Sequence, residues 1–140
     1  MINTERVSTG VAGLDQLLEG GFPKGRSVLI TGEPGTGKTV MALQFLADGL
    51  AHGEKGIYVA DDEGPLDIIE QAASIGWDFE KFVEQKQLAI LNAGTYLSPI
   101  PGVGRERNID IHKTVNDLAG FVNRLGATRM VLDPAGPFLL

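Results

Sequence analysis

An apolar segment, a glycine-rich turn, a lysine and threonine, and a second apolar segment follow one another in LITGEPGTGKTVMALQF, residues 29–45. Few folds accommodate that order. Gly32, Gly37, Lys38 and Thr39 match the spacing G-x-x-x-x-G-K-[ST], in which glycines let the backbone wrap closely around an oxyanion. The amides of Gly35, Thr36, Gly37, Lys38 and Thr39 would point at phosphate oxygens, and the dipole of the following helix would add positive potential. Lys38 would neutralise the outer phosphates and Thr39 would give its hydroxyl to magnesium. Glu33 and Pro34 would stiffen the outer turn, and Val40 completes the expected nucleotide-binding set. The motif carries weight only between a strand and a helix, so the surrounding pattern decides its meaning.

That pattern alternates. SVLIT at 27–31, GIYVA at 56–60, LAIL at 88–91 and MVLD at 130–133 are short and rich in β-branched or aliphatic residues, as buried parallel strands are. Helical periodicity occupies the stretches between them. Residues 38–49 bring Met41, Leu43, Phe45 and Leu46, with Leu50 next in the chain, to a broad face, and 65–75 begins with Pro65, a favoured first-turn residue. Residues 111–125 are expected to bury Val115, Leu118, Phe121, Val122 and Leu125 and to stop at Gly126. Strands alternating with helices predict an α/β fold with a mainly parallel sheet. Residues 92–108, NAGTYLSPIPGVGRERN, lack periodicity and are expected to form a long loop.

With 140 residues, 43% hydrophobic and 21% charged, the chain is one ordinary folded domain. The absence of cysteine removes disulfides, thiolate metal sites and cysteine nucleophiles together. The start, MINTERVSTG, has no basic-then-apolar leader and no run could span a bilayer, so no membrane role and a cytoplasmic location are expected. A net charge of −6 opposes attraction to nucleic-acid phosphates.

Phosphate binding alone does not hydrolyse anything; a magnesium contact and a carboxylate near the attacking water are also needed. RMVLDP puts Asp133 at the C-terminal end of a strand, the side on which open α/β sheets bind ligands. IYVADDEGP puts Asp61, Asp62 and Glu63 at the same end of another strand, and such a cluster repels itself unless a cation or a substrate proton relieves it.

With these motifs in place the chain resembles the first part of a KaiC-type ATPase domain of the RecA and RadA superfamily. VSTGVAGLDQLLEGGFPKG is similar to that family's lead-in, GEPGTGKT to its phosphate loop, and IYVADDEGPLDIIEQAASIGWDF to its second strand, acidic pair and following helix. The resemblance implies a RecA-like P-loop NTPase fold, binding of ATP with Mg2+, slow hydrolysis, and a homo-oligomeric ring, hexameric at full length, with nucleotide near subunit boundaries. It further implies that Asp62 and Glu63 are the catalytic carboxylates working with Lys38, and that Asp133 joins Thr39 at the metal. Two departures accompany it. Asp62 is one methylene shorter than the family's first glutamate, and Pro134 replaces the usual serine, removing a hydroxyl and a backbone donor. Such domains continue with further strands where this chain stops at Leu140, so residues 1–140 are expected to form a single domain truncated after the Walker B strand.

Trp77 is expected to be a packing anchor, His52 and His112 surface residues, and Arg105 and Arg107 solvated loop positions. Two other functions use the same loop: a recombinase-like module holding DNA with ATP, and an assembly module that binds nucleotide with little turnover. The acidic balance argues against the first; only turnover compared with binding separates the second.

Overall fold

The structure, a computed structural model, describes residues 5–61, 63–93 and 111–135. Three parallel strands, β3 (Gly56–Ala60), β4 (Leu88–Asn92) and β5 (Arg129–Asp133), form a sheet in the order β4-β3-β5. The register pairs Gly56 with Leu88 and with Arg129, and Ala60 with Asn92 and with Asp133. All five residues of central β3 are buried, which explains why GIYVA is a continuous apolar run: both faces of a parallel sheet are covered by helices.

Alternate strand residues serve two cores. Tyr58, Ala60, Leu88 and Val131 join Leu43, Leu46 and Leu50 of α2 (Lys38–Ala51), Ile68 and Ala72 of α3 (Pro65–Ser74), and Phe79 of α4 (Phe79–Glu84). On the other face Ile57 and Val59 meet Leu118 of α5 (Ile111–Leu125), with Phe121, Val122 and Leu125 packed against them. The expected bounds of α5 hold, and the amides of Gly126 and Ala127 close it on the Val122 carbonyl at 2.9 and 3.1 Å. Its buried stripe differs in one position. Val115 is 53% exposed and Thr114 is buried in its place, because the spacing 114, 118, 121, 122, 125 follows one face of a 3.6-residue helix and Val115 falls beside it.

The lead-in is more structured than its sequence suggested. A short antiparallel pair, β1 (Arg6–Val7) and β2 (Phe22–Pro23), flanks α1 (Ala12–Leu17). Asp15 Oδ1 accepts from the Thr9 amide and hydroxyl at 2.8 and 2.6 Å, while Gln44 donates to the Gly10 carbonyl at 2.6 Å. Phe22 lies against Phe45 of α2 with ring centroids 5.9 Å apart.

The strand expected at 27–31 is the main correction. Ser27–Thr31 joins no strand among the described residues, and Val28, Leu29 and Ile30 are 43%, 58% and 41% exposed. A doubly apolar strand forms where both of its faces are covered; here all three residues of VLI are left substantially exposed. The long loop expected at 92–108 lies outside the described residues beyond Ala93, as do Arg105 and Arg107. Trp77 stacks on Phe79 at 6.5 Å, and His52 and His112 are exposed.

Candidate active site

Parallel strands carry their C-terminal ends to one edge, and the pairing of Ala60 with Asp133 sets the turn after β3 level with the end of β5. The start of α2 reaches the same edge. Thr39 Oγ1 donates to Asp133 Oδ2 at 2.9 Å, bridging positions 94 residues apart. The other end of the helix is fastened too. Arg129, buried at the start of β5, donates through Nη1 to the Phe45 carbonyl at 2.7 Å and pairs with Asp48 at 3.2 Å. Nine residues from Thr39 to Asp48 rise about 14 Å in a helix, and four from Arg129 to Asp133 span about 13 Å in a strand. Helix and strand therefore run antiparallel and are pinned at both ends.

Of the context expected for the loop at residues 32–39, the following helix α2 is present and the preceding strand is not, among the described residues. Gly37 is the N-cap of α2 with φ 97°, a left-handed conformation that favours glycine, and no side chain caps that turn. Amides at the start of α2 are thus directed outward without a side-chain acceptor, the arrangement that suits an anion. Thr36 Oγ1 donates to the Glu33 carbonyl at 2.7 Å and closes the turn around Pro34 and Gly35. A Cβ at Gly32 would stand 2.7 Å from Thr36 Oγ1, so a side chain there would push Thr36 off the Glu33 carbonyl. Lys38 Nζ donates to the Gly32 carbonyl at 2.5 Å, folding the amine over its own loop. Glu33, Pro34, Gly35, Thr36 and Gly37 are exposed, Val40 likewise, and Lys38 and Thr39 are half-buried.

On the β3 side, exposed Glu63 accepts from Gln71 Nε2 at 2.7 Å. The Gly64 amide donates to Asp67 Oδ2 at 3.1 Å, a capping contact that starts α3 directly after the acidic turn. Asp62 lies outside the described residues. Thr39 and Asp133 are thus brought together, and Glu63 follows β3 on the same edge.

One participant escaped the sequence reading. Tyr58 Oη donates to Asp133 Oδ2 at 2.6 Å from a fully buried ring. Burial raises the phenol's pKa well above the usual tyrosine value, and the hydrogen bond to Asp133 and the charges of Asp133 and Glu63 push it the same way. The hydroxyl therefore stays protonated and donates. A tyrosine within an otherwise aliphatic buried strand was the available signal, since a buried phenol needs a partner. Gln71 escaped notice likewise: a helix glutamine ordinarily faces water.

Thr39 and Asp133 supply a hydroxyl and a carboxylate, hard oxygen donors that fit magnesium. Among the described residues no three carboxylate or imidazole groups converge. No described helix is long and apolar enough to cross a membrane.

Comparison with known proteins points the same way. The family model described as the KaiC ATPase matches residues 7–140. The circadian clock oscillator protein KaiC of Prochlorococcus marinus subsp. pastoris is 38% identical over 134 residues, which cover 94% of this chain and 26% of that protein. A UPF0273 protein of Pyrococcus horikoshii is 37% identical over 139 residues, covering 93% of this chain and 54% of that one. The crystal structure of a KaiC-like protein from the same archaeon matches with a TM-score of 0.77 at 35% identity, over 94% of this chain and 54% of its own. The chain spans about half the length of the UPF0273 relative and about a quarter of KaiC.

Proposed function

The chain belongs to the KaiC ATPase family, P-loop ATPases of the RecA type, and on that premise we propose that it binds ATP with magnesium through Gly32–Thr39 and hydrolyses it. The observation that carries the reading is the Thr39–Asp133 hydrogen bond, which joins the phosphate-loop threonine to the strand-end aspartate. Thr39 and Asp133 would hold the magnesium, which would supply neutralisation of phosphate charge. Residues 35–39 present amides to the phosphates, and Lys38 leaves the Gly32 carbonyl for a phosphate oxygen. Asp62 and Glu63 orient or deprotonate the attacking water. Residues 1–140 act as one domain, and the longer protein assembles as a homo-oligomeric ring, a hexamer, with nucleotide near subunit boundaries.

Calorimetry with Mg-ATP tests the reading directly. Lys38→Ala is expected to weaken binding at least tenfold, because charge-assisted contacts to phosphate are lost. Light scattering in the same samples reports assembly, and phosphate release reports turnover. Unchanged affinity in a folded Lys38→Ala protein removes the lysine from the phosphates and defeats the proposal. Tight binding with assembly but no turnover leaves a nucleotide-dependent assembly module instead.

A further inference from the structure

Two hydroxyls converge on one oxygen of Asp133. Thr39 Oγ1 reaches Oδ2 from α2 at 2.9 Å, and Tyr58 Oη reaches the same atom from β3 at 2.6 Å. No described residue donates to Oδ1. From this geometry, and resting on the ATPase reading above, we infer that Tyr58 is a positioning residue that holds the Asp133 carboxylate for the nucleotide's magnesium.

The reach of Tyr58 follows from the sheet. Tyr58 pairs with Val131 on β5, and Asp133 lies two residues further along the same face. Diagonal neighbours of that kind stand about 7–8 Å apart between backbones, a gap that long or aromatic side chains can cross. The ring is fully buried in the core cluster that also contains Leu43, Leu46 and Ile68, so the hydroxyl has little freedom of its own. Thr39 fixes the carboxylate from the helix and Tyr58 from the neighbouring strand. Two donors on Oδ2 restrain rotation of the carboxyl group and leave Oδ1 to meet the metal or a water of its shell. Phenylalanine or leucine would fill the same core equally well and would hold nothing.

Such partners of metal-binding carboxylates typically contribute 10- to 100-fold to metal affinity. Tyr58→Phe keeps the ring and deletes the one hydroxyl. It is expected to raise the Mg2+ concentration for half-maximal ATP binding about tenfold, with ATP affinity in EDTA unchanged. In an Asp133→Asn background the same substitution is expected to shift the Mg2+ requirement by less than about twofold, because coupled residues are not additive. A Tyr58→Phe shift below about twofold in the parent background overturns the inference, and so does an equal shift in both backgrounds, since a packing role is indifferent to residue 133. Should Tyr58→Phe fail to fold, Raman spectroscopy of Tyr96→Phe decides, because Tyr58 is then the remaining one of two tyrosines. Its hydrogen-bond-sensitive ring band is expected to shift when Mg2+ is added to the ATP-loaded protein; a static band overturns the inference. If the parent chain binds ATP equally with and without Mg2+, the functional reading fails first and takes this one with it.

Discussion

Glu63 sits just past the end of β3 with Oε2 held by the Gln71 amide at 2.7 Å, and its charge is felt at Tyr58, which is bound to Asp133. A carboxylate so placed and exposed to solvent can order a water without being buried, so on the proposed reading its contribution would fall on the chemical step rather than on folding. Glu63→Gln preserves the shape and the Gln71 contact while removing the charge. It is expected to lower ATP turnover by about two orders of magnitude with little loss of Mg-ATP affinity, the signature of a lost general base. Steady-state phosphate release set beside calorimetry checks it, and turnover equal to the parent's would take Glu63 out of the reaction. Lys38 belongs to a different class. Its amine already satisfies itself on the Gly32 carbonyl at 2.5 Å, so a phosphate bound as proposed would exchange one acceptor for another, and the gain would come from charge.

At the scale of elements, α2 is held to β5 by Thr39–Asp133 at one end and by the Arg129 cluster at the other. Arg129 is only 4% exposed, yet it bonds the Ser8 and Phe45 carbonyls at 2.8 and 2.7 Å, pairs with Glu54 at 3.0 Å and Asp48 at 3.2 Å, and lies 4.7 Å from the centre of the Phe45 ring. Ser8 Oγ also donates to Asp48. A buried guanidinium is tolerable because every direction it faces offers an acceptor or a ring face. Room for it is made by Gly49, where an added Cβ would stand 2.5 Å from Arg129 Cδ and Nε. Two glycine-to-alanine changes therefore separate two effects. Gly120→Ala in α5 meets nothing within 4 Å, and helix propensity alone should stabilise by about 0.5–1 kcal/mol. Gly49→Ala enjoys the same propensity but must displace a side chain pinned by four partners, so overpacking of about 1–3 kcal/mol wins and the variant unfolds at lower denaturant. Urea titrations of both distinguish them, and a stabilised Gly49→Ala would mean that Arg129 is not held as described.

That contrast also marks what the residues disclosed in advance. Helices α2 and α5 and strands β3, β4 and β5 were legible because burial imposes period on local sequence, and the family match shows the α/β fold. The turn at residues 32–38 was legible as a turn because its contacts are local, Thr36 to Glu33 and Lys38 to Gly32. Arg129 was invisible: its acceptors lie 75, 84 and 121 residues away, and an arginine opening a strand resembles a surface residue. Tyr58 and Asp133 are likewise 75 residues apart. Ser27–Thr31 failed in the opposite sense, since an apolar pattern states what a segment does when covered and says nothing of whether cover is present.

For the whole molecule, electrostatics decides between ATP-driven chemistry and ATP-driven DNA holding. The net charge is −6, and part of the basic complement among the described residues is already engaged. Arg129 is enclosed by Asp48 and Glu54, Lys24 pairs with Glu5 at 3.0 Å, Arg124 lies 5.7 Å from the centre of the Phe121 ring, and Lys38 belongs to the phosphate loop. Neutralising a run of nucleic-acid phosphates needs several cations on one face, and each contact adds to the salt dependence of binding. The near end of the sheet instead presents Asp61, Glu63 and Asp133, charges that repel a polyanion but tolerate one compact triphosphate carrying its own magnesium. Single-stranded DNA is therefore expected not to be retained at about 50 mM salt, with or without ATP, a condition under which phosphate contacts are at their strongest. Fluorescence anisotropy of a labelled oligonucleotide tests this on the same preparation used for ATP binding. An ATP-dependent rise in anisotropy that falls steeply as salt increases would restore the recombinase-like reading, because contacts to nucleic-acid phosphates weaken with salt in that way.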